Sequence, residues 1–362
     1  MITTINNKHK KLNVPNLRFP EFQGEWHLCK ISNILRIGNG RDYKHLAKGN
    51  IPVFGTGGYM TSVNDYLYDG ETTFIGRKGT INKPYYYKGK FWTVDTLFYT
   101  HSFDGIMPHF VYCLFQTINW LKYNEASGVP SLSKDTIEKI KVHIPQIKEQ
   151  QKISRLILLL DERIATQNKI IEDLKKLKSA ISKKLLSNDK WTTYKIQDIA
   201  EIGRGRVISS VKIDRQKHPL YPVYSSQTSN DGIMGYLDNY MFDGEYITWT
   251  TDGANAGTVF YRKGKFNCTN VCGTLKIQPK FDCYFVSLVL QQATQKYVSS
   301  NLANPKLMNN TMASIKIRMP NIETQKQLSK VFQTLDSCLL VHQRTCKMYL
   351  SEKQYLLRQM LI

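Results

Sequence analysis

Two stretches that lie 175 residues apart follow the same pattern. Residues 144–164 read "IPQIKEQQKISRLILLLDERI", and residues 319–339 read "MPNIETQKQLSKVFQTLDSCL". A proline stands near the start of each, and Leu160-Asp161 matches Leu335-Asp336. The runs that begin here, 147–187 and 322–362, contain neither glycine nor proline. Runs of this length predict two helices that are much longer than the usual ~10–14 residues of a globular helix.

Apolar residues recur in both runs at alternating spacings of three and four, which is typical of a coiled-coil seam. The polar interruptions fall at the same register, since Lys178 matches Lys353 and Gln167 matches His342. Polar residues in a seam weaken it but select one register and partner. The alternative is that each helix packs only on its own domain. The predicted seam residues are Ile157, Leu160, Ile164, Gln167, Ile171, Leu174, Phe332, Leu335, Leu339, His342, Cys346 and Tyr349.

We expect the two helices to pair in an antiparallel arrangement. At ~1.5 Å per residue each helix would be about 60 Å long. A parallel pair would crowd the two preceding domains together, whereas an antiparallel pair would place them at opposite ends of the rod.

The duplication extends beyond the helices. "WHLCKISNILRIGNGR" from Trp26 resembles "WTTYKIQDIAEIGRGR" from Trp191, and "YKGKFWT" at 87–93 resembles "RKGKFNC" at 262–268. Short β-rich runs separated by Gly, Asn and Asp turns come first in each copy, and a helical pattern follows. The sequence therefore predicts a duplicated α/β (α+β) globular domain, each copy followed by a long helix. The predicted segments are an N-terminal arm 1–25, a first domain 26–146, a first helix 147–187, a second domain 188–321 and a second helix 322–362.

The charge of the chain points to a polyanionic partner. Its 362 residues include 50 Lys and Arg against 29 Asp and Glu, a formal net charge of +21. A protein this basic usually binds nucleic acid. The sequence contains no apolar run long enough for a membrane span and no signal core at its start, so we expect a cytoplasmic protein without a membrane partner.

Motifs for catalysis are missing from the sequence. "VFGTGGY" at 53–59 resembles a glycine-rich S-adenosylmethionine loop, but the matching "VYSSQTS" at 223–229 has no glycine. We find neither an Asn/Asp-Pro-Pro-Tyr/Phe motif for a flipped base nor a phosphate-binding Walker pattern. The seven cysteines form no Cys-x-x-Cys pair, and Cys268, Cys272 and Cys283 have no nearby histidine. We therefore expect no catalytic residues, no cofactor and no metal site.

Candidate nucleic-acid contacts are polar residues on the glycine-bearing loops and just before the helices. Arginine reads guanine and Asn or Gln reads adenine, whereas Lys and hydroxyl groups mostly bind phosphates. Arg77 with Lys78, and Gln227, are the strongest of these candidates, because adjacent basic or amide groups on turns can approach a groove. The full set is Arg41, Lys44, Thr56, Tyr59, Arg77, Lys78, Thr80, Asn82, Lys134, Arg204, Arg206, Gln227, Thr228, Asn230, Thr250, Thr251, Asn255, Lys306 and Asn309.

Over essentially its whole length, the chain resembles the specificity subunit of type I restriction–modification systems. The resemblance rests on "VPNLRFPEFQGEW" near the start, on the two domain openings "ILRIGNGR" and "IAEIGRGR", and on the helix entries "EQQKI" and "TQKQL". The order and duplication of these short motifs are specific, although each motif is weak by itself. The second entry departs from the EQQ type.

This resemblance implies two target recognition domains, each reading one half of a split double-stranded DNA site. It also implies that the helices set the spacing and bind two modification subunits, with restriction subunits joining outside, and that the chain itself is not an enzyme. Three other interpretations remain open at this point. They are a free-standing sequence-specific DNA-binding protein such as a repressor, a single-chain methyltransferase, and a coiled-coil scaffold that binds no nucleic acid. The missing motifs argue against the methyltransferase, and the charge argues against the scaffold.

Overall fold

The computed structural model describes residues 3–4, 13–186, 188–299 and 304–362. Residues 1–2 and 5–12 of the predicted N-terminal arm, and residue 187 at the predicted end of the first long helix, lie outside the described residues. The chain divides into two compact units, Met1–Lys169 with Gln343–Ile362, and Ile170–His342.

The first unit is built on a six-stranded sheet of order β4-β9-β7-β8-β5-β6, in which the β5–β8 pair is parallel. Two short antiparallel pairs, β1 with β2 and β3 with β10, lie outside this sheet. Its elements are β1 Thr3–Thr4, β2 Leu17–Arg18, β3 His27–Lys30, α1 Ile31–Ile34, β4 Arg36–Asn39, β5 Lys48–Gly55, β6 Gly58–Val63, β7 Tyr68–Gly76, β8 Tyr85–Thr93, β9 Leu97–His101, α2 Pro108–Thr117, α3 Lys134–Lys139 and β10 Lys141–Ile144. The first long helix, α4, follows at Ile147–Leu185.

The second unit has a four-stranded sheet of order β12-β18-β15-β16 and a three-stranded sheet of order β14-β13-β17. A short antiparallel pair of β11 and β19 precedes the second long helix. The elements are β11 Thr192–Lys195, α5 Ile196–Ile199, β12 Ala200–Arg204, α6 Ser210–Asp214, β13 Tyr221–Tyr224, β14 Ile233–Leu237, β15 Glu245–Thr250, β16 Val259–Lys263, β17 Asn267–Cys268, β18 Cys272–Ile277, α7 Cys283–Ala293, α8 Asn309–Ser314, β19 Lys316–Met319 and α9 Ile322–Met360.

The repeat seen in the sequence is present in the strand pairing. Gly38 faces Tyr99 where β4 pairs with β9, and Gly203 faces Thr274 where β12 pairs with β18. The sheet order β4-β9-β7-β8 therefore matches β12-β18-β15-β16. The continuous strand β8 pairs with both β7 and β5, whereas its counterpart is divided into β16 and β17. The division leaves the second unit with two sheets where the first has one.

Each unit has its own apolar core, in which a helix covers the sheet. In the first unit, Phe110 and Phe115 of α2 pack with Trp120 and with Ile31 of α1. In the second unit, Phe285 of α7 packs with Trp249, Leu275 and Phe332. Trp92 of β8 and Trp249 of β15 are also buried. The globular part of each copy is therefore an independently packed α/β domain.

Inside the first unit, the first half of α4 packs against the end of α9. Lys353 Nζ donates hydrogen bonds to Asp161 Oδ1 at 2.6 Å and to Tyr112 Oη at 3.0 Å. Arg163 lies 5.8 Å from the ring centre of Tyr349. Since higher numbers on α4 meet lower numbers on α9, the helices run antiparallel, as predicted.

Inside the second unit, the same ion pair recurs with its charges exchanged between the helices. Lys178 of α4 forms a salt bridge with Asp336 of α9, and Tyr284 Oη donates to Asp336 Oδ2 at 2.5 Å. Asp336 is the repeat equivalent of Asp161, and Lys353 is the equivalent of Lys178. Each of the twelve predicted seam residues is buried or half-buried. In the described part of the chain, no helix is long and apolar enough to cross a membrane. The predicted fold, a duplicated α/β domain with two long antiparallel helices, is confirmed.

Buried glutamines attach the start of each long helix to its own unit. Gln150 Nε2 donates to the carbonyl oxygen of Pro145 at 2.9 Å, and its Oε1 accepts from the Met107 amide at 2.9 Å. Gln325 makes the matching bonds with Pro320 at 2.8 Å and with Asp282 at 3.0 Å. A buried polar group without a hydrogen-bond partner is costly in free energy, so these repeated glutamine hydrogen bonds fix where each long helix leaves its domain.

Candidate nucleic-acid interface

In the first unit, backbone hydrogen bonds bring several loops together at one end of the sheet. The Arg41 amide donates to the Thr93 carbonyl at 2.7 Å, and the Arg77 amide donates to the Thr96 carbonyl at 2.8 Å. The Thr56 hydroxyl reaches the same Thr96 carbonyl at 3.2 Å. Gly79, with φ +84°, donates to Pro130 at 2.8 Å and so joins the turn after β7 to the loop before α3. Loops that are distant in sequence thus form one surface.

Two adjacent clefts on this surface hold five of the nine predicted contact residues of the first domain. The first cleft is lined by Asn39, Arg77, Lys78, Glu125, Ser133 and Lys134. The second is lined by Lys44, Thr56, Met60, Asp95 and Thr96. Arg77 is exposed and donates to the Asp95 carbonyl at 3.4 Å. Basic side chains with solvent access on glycine-bearing turns are suited to contacting phosphates and base edges.

The other predicted residues of the first domain lie on neighbouring segments. Tyr59 on β6 is 64% exposed, with its hydroxyl 3.0 Å from that of Ser62. Thr80 and Asn82 are exposed on the turn between β7 and β8. Hydrogen bonds from Thr136 and Ser133 lower the pKa of Glu125, so a carboxylate lies beside the basic residues of the first cleft.

In the second unit, the corresponding surface is tied together by side chains. Arg204 donates from Nε to the Asn270 carbonyl at 2.6 Å and from Nη2 to Asp252 Oδ2 at 3.2 Å. Lys306 Nζ lies 3.7 Å from the other carboxylate oxygen of Asp252. Asn309 Nδ2 donates to the Gly203 carbonyl at 3.3 Å. These contacts bring Arg204, Lys306 and Asn309 together. Arg206 joins the same loops through its amide, which donates to the Cys268 carbonyl at 3.1 Å.

The loop between β13 and β14, residues 225–232, carries the predicted readers of the second domain. Thr228 and Asn230 are exposed. The Gln227 side chain is half-buried and donates to the Ile233 carbonyl, and Asn255 Nδ2 donates to the Ser226 carbonyl at 3.2 Å. In this structure the Gln227 and Asn255 amides hold the loop, so Thr228 and Asn230 are the predicted contact residues of the loop that are exposed.

Two predicted contact residues do not reach the surface. Thr250 is 1% exposed, because it ends β15, a central strand flanked by β16 and β18. Thr251 follows β15 and is 0% exposed, with its backbone bonded to Val271 and Leu307 at 2.9 Å each. The Thr251 hydroxyl accepts from Arg204 Nη2 at 3.0 Å and donates to Asp252 at 2.7 Å. Thr251 thus holds the Arg204 side chain, and a direct DNA contact by either threonine would require the structure to open.

The two surfaces share a framework but differ in chemistry. An isolated antiparallel β-bridge pairs the backbones of Lys78 and Ser131 in the first unit, and the equivalent β-bridge pairs Asp252 with Lys306 in the second. A lysine in one domain is thus replaced by an aspartate in the other. Asp231, Asp252 and Arg262 were not identified from the sequence, although Arg262 aligns with Tyr87 in "RKGKFNC" and "YKGKFWT". The replacement of a tyrosine by an arginine at this repeated position was the sequence signal that could have identified Arg262.

Cys268, Cys272 and Cys283 of the second unit are buried, whereas Cys338 on α9 is exposed. Burial raises the pKa of Cys272 to about 11 and that of Cys283 to about 12, so both thiols stay protonated near neutral pH. Among the described residues, no group of three or more His, Cys, Asp or Glu side chains is arranged to hold a metal ion.

Comparison with known proteins identifies the family. Residues 23–176 and 188–347 match the type I restriction modification DNA specificity domain. A putative type I specificity subunit of Mycoplasma pneumoniae is 36% identical over 215 residues, which make up 58% of this chain and 80% of that protein. The specificity subunit of the type I restriction enzyme MpnII, from the same organism, is 42% identical over 146 residues, or 40% of this chain and 44% of that protein.

The fold also has a counterpart among solved structures. The crystal structure of the type I restriction–modification S subunit from M. genitalium covers 96% of this chain and 99% of its own, with a TM-score of 0.77 at 15% identity. Two matches to one domain family, one in each half, agree with the internal repeat and with this likeness of fold. The chain therefore belongs to the family of type I restriction–modification DNA specificity subunits.

Proposed function

We propose that each of the two globular domains, 26–146 and 188–321, reads one half of a split DNA site for a type I restriction–modification complex. The observation that carries this proposal is the repeated surface: one framework of strands and loops occurs twice with different side chains. Two readers of one shape but different chemistry suit a DNA site whose two halves differ in sequence. The subunit's role in such a complex is specificity rather than catalysis.

The exposure of the side chains supports a division of labour within each surface. In the first domain, Arg77 has solvent access and can approach guanine, while Lys44, Lys78 and Lys134 suit phosphates. In the second domain, the side chains of Arg206, Thr228 and Asn230 are exposed and are proposed to contact DNA in the same way. Arg204 and Lys306 are partly neutralised by Asp252, which favours a fixed orientation over general attraction to phosphate.

The long helices are proposed to set the spacing between half-sites and to bind the other subunits of the complex. A repeated helix pair offers equivalent outer surfaces, which suits two copies of a modification subunit. Restriction subunits would join the assembly outside these. We propose that the complex acts in the cytoplasm, where cellular DNA is accessible.

Mapping of methylated adenines tests the proposal. Genomes of a host with and without this gene are compared by sequencing that detects modified bases. We expect one split motif to be methylated only when the gene is present. If the gene leaves the methylation pattern unchanged while the other subunits are expressed, the proposed function is refuted.

A further inference from the structure

The reading loop of the second domain, residues 225–232, contains two consecutive residues in an unfavourable backbone conformation. Asn230 has φ +49° and Asp231 has φ +53°, and Gly232 follows at φ +81°. Residues other than glycine adopt this left-handed region only at a cost in free energy, which the surrounding structure must offset. The contacts of this loop should therefore include a group that holds it.

Arg262 on β16 supplies such a group. The Arg262 side chain is 2% exposed, and its Nη1 donates to Asp231 Oδ2 at 2.7 Å. Its Nη2 donates to the backbone carbonyl of Asp231 at 2.8 Å, and its Nε donates to the Thr248 hydroxyl at 3.3 Å. One buried guanidinium thus grips both the side chain and the backbone of a residue whose own side chain is 66% exposed.

Aromatic rings fix the position of this guanidinium. Its central carbon lies 3.6 Å from the ring centre of Tyr224 and 4.4 Å from that of Phe260. Cation–π contacts of a desolvated arginine are among the stronger ones, and the planar guanidinium matches the ring face. Burial raises the pKa of Tyr224, and the Arg262 charge opposes that rise. Arg262 is therefore held by the strands and holds the loop.

The first domain has no equivalent of this arrangement at the same place. Tyr87 aligns with Arg262, and its ring packs against that of Phe54 at 4.9 Å. The connection there is a two-residue hairpin turn closed by Gly55 and Gly58, which the strand pairing already fixes. The longer loop of the second domain is not closed by strand pairing in this way, so the contacts of Arg262 fix its conformation instead.

We propose that the Arg262–Asp231 pair is a clamp that positions loop 225–232 and thereby sets the base preference of the second recognition domain. This inference rests on the proposed function and names positioning residues for one of its two sites. The clamp holds Thr228 and Asn230 in the exposed positions from which they can reach a groove. Neither Arg262 nor Asp231 needs to touch DNA itself.

Three variants of the full chain test the clamp. Asp231→Asn removes the charge but keeps a residue that tolerates the left-handed conformation. Arg262→Lys keeps the charge but loses the fork of donors, and Arg262→Tyr introduces the residue of the first domain. Lys263→Ala is the matched control, because it removes an exposed cation from the same strand.

The DNA readout is selection from a randomised library, with each chain in the assembly that it forms in its host. For Asp231→Asn and Arg262→Lys, we expect base enrichment to fall about tenfold in one half-site, roughly the discrimination that one good base contact provides, and to stay within about twofold in the other. Lys263→Ala should match the wild type. Unchanged preference in both half-sites, or an equal loss in both, would overturn the proposal.

Hydrogen exchange of the free chain gives a second readout that does not depend on DNA. Residues 225–232 should exchange faster in the variants, while β15 and β18 keep their protection and so report an intact fold. If hydrogen exchange of the loop does not change in the variants, the clamp is refuted. This test does not depend on Arg262→Tyr, because Asp231→Asn remains informative even if Arg262→Tyr fails to fold. If exchange rises but the wild type shows no split-site preference, the proposed function fails and with it the role in base preference, and only the positioning of the loop by the clamp stands.

Discussion

Replacing Lys353 by methionine should destabilise the chain far more than the same replacement at its repeat equivalent, Lys178. The two lysines make the same kind of ion pair, with Asp161 and Asp336. However, Lys353 is 8% exposed and Lys178 is 26% exposed. Methionine keeps an unbranched stem of similar length, so the comparison isolates the charge and its hydrogen bonds.

The expected size of the effect follows from this difference in burial. Lys353 loses charge-assisted bonds to Asp161 and Tyr112, and such bonds contribute about 1.5–3 kcal/mol when buried. Asp161 is 29% exposed and can partly hydrate, so we expect a loss of about 2–3 kcal/mol. The more exposed Lys178 pair should lose at most about 1 kcal/mol.

Denaturant and thermal unfolding of the full chain measure the difference. For a unit of this size the Lys353→Met loss corresponds to a fall in Tm of roughly 5–10 °C. A double-mutant cycle with Asp161→Asn should give a coupling energy above about 0.5 kcal/mol. Equal losses for Lys353→Met and Lys178→Met, or a Lys353→Met chain as stable as the wild type, would refute the argument from burial.

The remaining predictions concern DNA. Arg77→Ala should lower discrimination at one base position by about 1–3 kcal/mol if Arg77 reads guanine, whereas an equal loss over all sequences, with a shallower salt dependence, would assign it to a phosphate. Insertion of four residues after Gln167 and after His342 should lengthen each helix by ~6 Å, so the assembled complex should prefer an unread spacer one or two base pairs longer in a competition over graded spacers. An unchanged spacer preference would mean that the helices do not set the distance. The purified chain alone should neither methylate nor cleave DNA, and turnover that survives removal of all other subunits would contradict a specificity role.

The long helices were predictable because their signals are local and repeated. Heptad spacing places Ile157 and Phe332 at matching seam positions, and the absence of Gly and Pro sets the length of both runs. The partners of the seam lysines were not predictable in full. Tyr112 lies far from Lys353 in sequence, and only the folded domain brings its hydroxyl to the helix pair. The ion pair of Arg18 with Glu149 at 2.8 Å was missed for the same reason.

The candidate interface was predictable as a set of loops but not as a set of side-chain orientations. Arg77 and Lys78 are exposed, because they follow the end of β7 on a turn. Thr250 is buried, because both neighbours of β15 are present and burial does not alternate over the last four residues of the strand. Thr251 is buried just beyond β15, where its carbonyl oxygen accepts from the Leu307 amide. Gln227 donates inward because the carbonyl oxygen of Ile233, at the start of β14, needs a hydrogen-bond partner. Such choices depend on long-range packing, which the pattern of one sequence does not contain.

Replacement of residues 26–146 by the matching domain of a relative tests the central claim most directly. The swapped chain is expressed with its partner subunits, and the methylated or selectively bound DNA motif is determined by sequencing. We predict that one half of the motif changes to that of the relative, while the other half and the spacer length stay as they were. A change in both halves, or in neither, would show that the two domains do not read separate half-sites.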